Sequence, residues 1–198
     1  MGKRLFDVLG AAVGLLLLSP LLVGIALWIK LDSRGPVFFR QQRVGRFGVP
    51  FQIHKFRSMR EDAPLAGPQI TVGADPRITR AGSFLRRSKL DELPQLLDVL
   101  AGTMSLVGPR PEVPRYVAMY PPELRDKVLS VRPGITDPAS IEYRDESALL
   151  ARAADPERAY IEQVMPAKLR CAAEYVDHMS LANDVRLIGA TLRILLSR

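Results

Sequence analysis

The acidic pair Asp91 and Glu92 is the feature of this sequence whose residue types could most directly do chemistry. The stretch RAGSFLRRSKLDELPQLLDVL places a group of basic residues just ahead of the pair: Arg80, Arg86, Arg87 and Lys89. Carboxylates can attack an electrophile or hold a divalent cation, and nearby guanidinium and ammonium groups attract phosphate. The pattern therefore suggests chemistry on a phosphorylated substrate.

The pair is expected at the start of a helix. Ser88, with Asp91 three residues later, resembles a capping box, and Pro94 fits the first turn of a helix better than its interior. There the helix dipole favours anions, so a phosphate, a Mg2+ ion and a carboxylate nucleophile could share the site. Carboxylates at a helix start are more commonly caps or solvated charges, so the pair alone does not establish catalysis.

The composition excludes several other kinds of site. Cys171 is the single cysteine, which excludes an internal disulfide and a thiolate metal cluster. With His54 and His178 as the only histidines, a zinc site of several imidazoles is excluded, and a carboxylate is the expected general base. The net charge of +7 favours a partner that carries phosphate, namely anionic lipid, nucleic acid or a phosphorylated substrate.

The N-terminal segment is a predicted membrane element. Residues 5–31 are almost entirely apolar, which exceeds the roughly 20 residues needed to cross a bilayer. A secretory signal peptide is the alternative, since Lys3 and Arg4 precede the apolar run, but no small-x-small cleavage site follows it.

The dipeptide Ser19-Pro20 in the middle of this segment argues against a simple spanning helix. Pro20 removes the hydrogen bond to the carbonyl of Leu16 and favours a bend, while Ser19 could satisfy part of the freed backbone. Basic residues flank both ends, which draws both ends toward the cytoplasm. We therefore predict a re-entrant helical hairpin; a tilted, kinked single span is the alternative.

The remaining chain is predicted to be a small mixed α/β domain, mostly helical. Residues 36–59 alternate apolar and basic side chains around the turn Gly45 to Pro50, which predicts a β-hairpin, and residues 61–79 predict a loop. Helical patterns cover residues 83–101, 111–120, 123–131, 155–177 and 181–196. The last is amphipathic and could lie on a membrane surface or pack as an ordinary core helix.

Four ordered motifs behind the Ser-Pro segment resemble those of the monotopic phosphoglycosyl transferases, a group of bacterial sugar transferases. The motifs are KFRSM (55–59), LRRSKLDELPQLLDVL around the acidic pair, MSLVGPRP (104–111) and RPGIT (132–136). The resemblance runs from about Lys3 to Leu196 and is that of the minimal form, which lacks an additional transmembrane domain.

The resemblance implies a role for each matching position. Asp91 corresponds to the nucleophile that forms a covalent phosphosugar intermediate, and Glu92 to the partner that binds Mg2+ together with Asp91. Three basic residues fall where the family binds phosphates: Lys55, Arg86 and Arg110. Positioning and charge neutralisation are what phosphoryl transfer mainly requires, so this assignment is physically coherent.

The implied reaction moves a sugar 1-phosphate from a UDP-sugar to polyprenyl (undecaprenyl) phosphate, releases UMP, and initiates a membrane-linked glycan. It implies an anchor over residues 1–34 and a catalytic domain over residues 35–198, on the cytoplasmic face of the bacterial inner membrane. After RPGIT, however, many members continue Gly-Trp-Ala-Gln, whereas this chain reads DPASIEYRDE. Arg144 in that stretch is the expected downstream substrate arginine.

Three other classes compete with this interpretation. A nucleic-acid binder would use the positive charge, but the chain has one tryptophan and no nucleic-acid motif, so no nucleic-acid partner is expected. An ordinary nucleotide-sugar glycosyltransferase would need Asp-x-Asp, which is absent from the sequence. A structural membrane protein would fit if the acidic pair were only a helix cap.

Overall fold

The protein is described here by a computed structural model that covers residues 2–61, 75–143 and 146–196. The helices are α1 Gly2–Asp32, α2 Arg80–Ser88, α3 Gln95–Ala101, α4 Pro114–Val117, α5 Pro122–Val128, α6 Pro138–Glu142, α7 Glu146–Leu150, α8 Pro156–Ala159, α9 Met165–Asp177 and α10 Leu181–Leu196. The strands are β1 Phe38–Val44, β2 Pro50–Phe56, β3 Ser105–Val107 and β4 Gly134–Thr136. A mostly helical, mixed α/β fold is confirmed.

The long apolar helix α1 lies along the rest of the protein. Its contacting residues recur every three or four positions, at 11, 15, 18, 22, 25, 26 and 29, as a single face of a helix does. The first part of this face packs on Ile53, Leu96 and Met104, and the second part packs on Phe56 and Leu85. The opposite face carries exposed leucines and valines, among them Leu9, Val13, Leu16, Val23, Leu27 and Leu31.

Helix α1 continues without interruption through Ser19 and Pro20. Pro20 cannot donate to the carbonyl of Leu16, and the hydroxyl of Ser19 donates to that oxygen instead, at 2.8 Å. The predicted compensation by Ser19 is thereby confirmed. The predicted re-entrant hairpin is not confirmed, since α1 is one continuous helix, and the division into residues 1–34 and 35–198 stays a prediction.

Buried carboxylates attach the beginning of α1 to the domain. Asp7 is 2% exposed and accepts hydrogen bonds from the Ser105 hydroxyl and the Leu106 amide. Asp184 of α10 is fully buried and accepts from Lys3 Nζ at 2.5 Å and from the Tyr175 hydroxyl at 2.6 Å. Because breaking such buried pairs is costly, this end of α1 is firmly bound to the domain.

Arg57 of the KFRSM motif binds the other end of α1. Its guanidinium is buried and donates to the carbonyls of Ile29, Ser33 and Arg34 at the end of the helix, where backbone carbonyls begin to lack helical partners. The Asp32 carboxylate accepts a hydrogen bond from the Ala81 amide at 3.0 Å. Both ends of α1 are therefore attached to the same domain.

Strands β1 and β2 form the predicted antiparallel hairpin, with Phe38 opposite Phe56 and Val44 opposite Pro50. Its turn contains Phe47 with a positive φ of 59°. Most of the predicted loop over residues 61–79 lies outside the described residues. Helical structure over residues 156–177 and 181–196 agrees with the prediction, although residues 160–164 form a π-helical turn.

Helix α10 leaves part of its predicted apolar face exposed. Asp184 is buried and Thr191 hydrogen-bonds Thr136 at 2.6 Å on the inner side. On the predicted apolar face, Leu181, Val185 and Leu192 are exposed by 43%, 55% and 53%. An ordinary core helix would bury that whole face, which α10 does not do, and its placement on a membrane surface stays a prediction.

Strands β3 and β4 bring the MSLVGPRP and RPGIT motifs together. The strands are parallel, with Ser105 opposite Gly134 and Val107 opposite Thr136. A Cβ atom at Gly134 would lie 2.0 Å from the backbone nitrogen of Gly108, which is closer than any van der Waals contact allows. The glycines of the two motifs are thus explained by close approach of two backbones.

We expect Gly134→Ala to destabilise the protein by about 3 kcal/mol or more, because backbone atoms cannot yield as a flexible side chain does. Thermal unfolding in detergent measures the loss. Gly189→Ala is the matched control, since a Cβ at Gly189 meets no atom within 4 Å and helix propensity favours alanine. Equal melting temperatures for Gly134→Ala and the wild type would contradict this account of the motifs.

Candidate active site

A cavity of about 690 Å³ brings together the predicted functional residues. It opens between the β1–β2 hairpin, the segment that joins α2 to α3, the region after β3, and α10. Five predicted site residues line it: Lys55, Arg86, Asp91, Glu92 and Arg110. They come from three separate sequence motifs, and only the tertiary structure makes them neighbours.

The acidic pair lies in a short 3-10 turn, Leu90–Glu92, between α2 and α3. The predicted continuous helix over residues 83–101 is wrong, because Lys89 adopts a left-handed conformation with φ of 58° and ends α2. The predicted capping box is also wrong. The Ser88 hydroxyl donates back to the carbonyls of Phe84 and Leu85 instead.

Pro94 explains why the chain forms a new helix after the pair. A proline in a continuous helix would clash with the carbonyl four residues earlier, but it is tolerated at a helix start. Here Pro94 directly precedes α3, as the sequence predicts. The acidic pair is therefore presented to the cavity by a turn and makes no capping hydrogen bond to α3.

Glu92 is the centre of an ion-pair cluster. Its carboxylate accepts from Lys55 Nζ at 2.8 Å, and both of its oxygens accept from the Arg110 guanidinium, one of them at 3.1 Å. Burial opposes ionisation, but Arg110 and Lys55 outweigh it and hold the pKa of Glu92 well below its usual range. Glu92 is therefore a carboxylate at neutral pH, and the pKa of Arg110 is raised, chiefly by Glu92.

Asp91 has a different environment from its neighbour. It is 8% exposed, and its Oδ1 atom is buried with no hydrogen-bond partner among the described residues. Burial, and then the charge of Glu92, raise the pKa of Asp91, although Lys55, Arg86 and Lys89 act in the opposite direction. Asp91 as a residue lines the cavity, and a poorly solvated carboxylate there is suited to nucleophilic attack.

Two further basic groups face this carboxylate. Arg86 is oriented by the Ser58 hydroxyl, which accepts from Nε at 2.9 Å, so its terminal nitrogens remain available to the cavity. Burial lowers the pKa of Lys55, while the adjacent Glu92 raises it. Together with Arg110, these groups provide the positive charge that a pyrophosphate requires.

Ser58 and Asp137 orient residues of this site, and neither is predicted as a functional residue from the sequence. Ser58 belongs to the KFRSM motif, but nothing in the sequence indicates that its hydroxyl contacts Arg86. Asp137 accepts from the Arg110 amide at 3.2 Å and also caps α6 through the Ser140 amide. A signal for Asp137 did exist, since aspartate followed by proline is a common start of a helix.

The remaining predicted functional residues either do not line the cavity or lie outside the described residues. Ser19 and Pro20 lie in α1 and do not line the cavity. Arg144 lies outside the described residues, so its predicted role in substrate binding stays a prediction.

The pair Asp91–Glu92 fits a Mg2+ ion. The described residues contain no cluster of three or more acidic, histidine or cysteine ligands, so a cage built entirely from protein side chains is not formed by them. Magnesium usually takes only one or two carboxylates and completes its coordination with water and substrate phosphates. Among the described residues Asp91 Oδ1 has no hydrogen-bond partner and suits such a role, whereas both oxygens of Glu92 already accept from Lys55 or Arg110.

Several known proteins are similar to this chain in sequence. The family model described as "Bacterial sugar transferase" matches residues 1–198. A UDP-N-acetylgalactosamine-undecaprenyl-phosphate N-acetylgalactosaminephosphotransferase of Aeromonas hydrophila is 38% identical over 98% of this chain and 44% of its own length. A UDP-glucose:undecaprenyl-phosphate glucose-1-phosphate transferase of Escherichia coli K12 is 38% identical over 96% of this chain and 39% of its own.

Relatives differ in how much of their own length the match covers. The chain spans about two fifths of the Aeromonas and Escherichia proteins. In contrast, the match to the exopolysaccharide production protein PSS of Rhizobium leguminosarum bv. phaseoli is 40% identical and covers 96% of this chain and 92% of that protein. The similarity therefore extends over nearly the whole chain in each of these comparisons.

Proposed function

The chain belongs to the bacterial sugar transferase family, and from this premise we propose that it transfers a sugar 1-phosphate from a UDP-sugar to polyprenyl phosphate, initiating a membrane-linked glycan. The observation that carries the proposal is Asp91, whose Oδ1 has no hydrogen-bond partner among the described residues, in the lining of a cavity that also presents Lys55, Arg86 and Arg110. The names of the two relatives both include undecaprenyl phosphate, but one specifies N-acetylgalactosamine and the other glucose. Membership of the family therefore does not specify the sugar.

The reaction proceeds in two steps at one phosphorus atom. Asp91 attacks the phosphorus that bears the sugar, the bond from this phosphorus to the UMP oxygen breaks, and UMP leaves with that oxygen. A phosphate oxygen of polyprenyl phosphate then attacks the same phosphorus, and the bond to Asp91 breaks. The product is a polyprenyl diphosphate sugar, and the aspartate is regenerated.

The surrounding side chains stabilise the charge that moves during these steps. Arg86 and Arg110 neutralise the phosphate oxygens, and Lys55 stabilises the charge that develops on the leaving UMP. Asp91 and Glu92 would hold a Mg2+ ion, which supplies further neutralisation of the pyrophosphate. Glu92 also fixes Lys55 and Arg110 in position through its ion pairs.

The membrane placement proposed here is a re-entrant one, with the catalytic part on the cytoplasmic face of the inner membrane. Helix α1 is the one described helix long and apolar enough to cross a membrane. Yet Lys3 contacts Asp184, and the carbonyl of Ser33 contacts Arg57, so both ends of α1 are attached to one polar domain. Insertion of its exposed apolar face and that of α10 from one side is consistent with these contacts.

We expect cysteines introduced at Gly2 and Arg34, in a Cys171→Ser background, to react with a membrane-impermeant maleimide from the cytoplasmic side only. Both positions are exposed, so the labelling reports topology. Inverted vesicles should label both and intact spheroplasts neither. Labelling of the two positions from opposite sides would establish a spanning helix.

Replacing Pro20 by Ala should shift some molecules toward a spanning state, because the bend that proline favours is removed.

The activity itself is tested by UMP release. The protein in detergent or nanodiscs is incubated with each of a panel of UDP-sugars, Mg2+ and polyprenyl phosphate, and UMP is quantified. We expect UMP release with at least one donor. Multiple turnovers should require both Mg2+ and polyprenyl phosphate. A protein that only interacts with membranes would release none, and that result would reject the proposal.

A further inference from the structure

The cavity has two chemically different sides. Cations predominate beside Asp91, where Lys55, Arg86 and Arg110 lie. The other side mixes acids, bases and a phenol, and we call it the mixed wall. It consists of Arg43, Glu112, Glu146, Tyr160 and Lys168, all of which line the cavity. The mechanism proposed above uses none of these side chains.

Hydrogen bonds hold the residues of the mixed wall in fixed orientations. Glu112 accepts from Arg43 at 3.0 Å and from the Tyr160 hydroxyl at 2.5 Å. Lys168 donates to Glu146 at 2.7 Å, and its ammonium lies 5.6 Å from the centre of the Tyr160 ring. A connected network of this kind presents donors and acceptors in set directions, as recognition of a polar ligand requires.

The mixed wall begins close to the reacting phosphorus. Glu112 follows Arg110 by two residues, with Pro111 between them. Arg43, which pairs with Glu112, also donates to the carbonyl of Pro111, the residue directly after Arg110. Arg110 contacts Glu92, and Arg43 is close enough for its charge to act on Lys55. In a UDP-sugar the attacked phosphorus bears the sugar directly, whereas a further phosphate and the ribose separate it from the base.

The chemistry of the mixed wall suits hydroxyl groups better than phosphates. The carboxylates of Glu112 and Glu146 would repel a phosphate but accept hydrogen bonds from neutral hydroxyls. Lys168 and Arg43, each fixed by a glutamate, add cationic donors to the same lining. Burial, and then Glu112, raise the pKa of Tyr160, which keeps its hydroxyl protonated. A pyranose offers both donors and acceptors to such a surface.

We infer that the mixed wall is the subsite that binds the hydroxyl groups of the donor's sugar and selects which UDP-sugar reacts. The inference rests on the function proposed above. Glu112, which joins Arg43 and Tyr160, is then the residue that most strongly determines the choice of sugar.

Glu112→Gln and Tyr160→Phe test the inference. For each variant, kcat/KM is measured over the panel of UDP-sugars. Inhibition by UMP, which lacks the sugar that is transferred, is measured in parallel. We expect the preference for the best donor over the others to fall by roughly 10- to 100-fold, as loss of a charge-assisted hydrogen bond to substrate predicts. Inhibition by UMP should stay unchanged, because its binding does not involve the mixed wall.

Two controls separate recognition from damage to the fold. Asp177→Asn removes a surface carboxylate paired with Lys127 and should leave both preference and UMP inhibition unaltered. Tyr160→Phe keeps the ring that packs 5.1 Å from Tyr116, and thermal melts report the folded fraction of each variant. Should Glu112→Gln fail to fold, Tyr160→Phe still provides the measurement.

The possible outcomes are distinct. Unchanged donor preference in folded variants, or equal losses for every donor together with weaker UMP inhibition, overturns the assignment of the mixed wall. A wild-type protein that releases no UMP from any donor overturns the proposed function and this inference with it. An active wild type whose variants lose preference but retain UMP inhibition supports both.

Discussion

Asp91→Asn should lower turnover by at least roughly three orders of magnitude, because the neutral amide cannot replace the attacking carboxylate. Raising the Mg2+ concentration should not restore it. The wild type incubated with donor alone should carry a sugar-phosphate adduct on Asp91, visible by intact-protein mass spectrometry, and its kinetics should be ping-pong. The variant should form no adduct.

The same substitution should not destabilise the protein. Since the pKa of Asp91 is raised in the fold, the folded state binds more protons there, and its stability falls as pH rises from the usual aspartate range through the raised pKa. At neutral pH Asp91 therefore lowers stability. Asp91→Asn removes this effect, so its melting temperature should equal or exceed that of the wild type.

Asp98→Asn is a matched control for Asp91→Asn. Asp98 is also buried, but it accepts from the His54 amide at 2.9 Å and bonds the His54 ring at 2.7 Å. This substitution should lower the melting temperature while the folded molecules keep most of their turnover. Near-wild-type turnover in Asp91→Asn, or sequential kinetics with no adduct, would overturn the covalent mechanism and favour direct transfer.

Glu92→Gln should impair both stability and turnover. It removes the charge that pairs Lys55 and Arg110, and we expect a loss on the order of 2–4 kcal/mol, moderated by the partial exposure of Arg110. Turnover should fall by roughly 100-fold or more, since both basic groups lose their orientation and Mg2+ loses a ligand. High Mg2+ should recover part of the activity, which distinguishes this variant from Asp91→Asn.

The pH dependence of stability gives an independent measurement for Glu92. Because its pKa is held well below the usual range, Glu92 stabilises the fold at neutral pH, and this contribution is lost as pH falls from the usual glutamate range through the lowered pKa. The wild-type melting temperature should therefore fall on acidification, and that of Glu92→Gln should fall less. Parallel pH profiles of the two proteins would show that the ion pairs contribute nothing measurable.

The local features of this protein follow from its sequence. The β1–β2 hairpin is specified by alternation around a turn, and α10 by its helical period, because both patterns report contacts within a few residues. Ser19 and Pro20 illustrate the same point, since donor and acceptor lie three residues apart within one helix. Residue types likewise identified the acidic pair and the basic residues, because phosphate chemistry requires charges of those kinds.

The tertiary structure decided how these residues differ from one another. Glu92 pairs with Lys55 and Arg110, which are 37 and 18 positions away, whereas Asp91 Oδ1 has no hydrogen-bond partner in the part of the chain that the structure describes. Adjacent carboxylates with nearly equal intrinsic pKa values thus acquire opposite shifts, because burial and distant charges act on them unequally. The left-handed Lys89 and the mixed wall likewise depend on packing between distant segments, which local sequence patterns cannot encode.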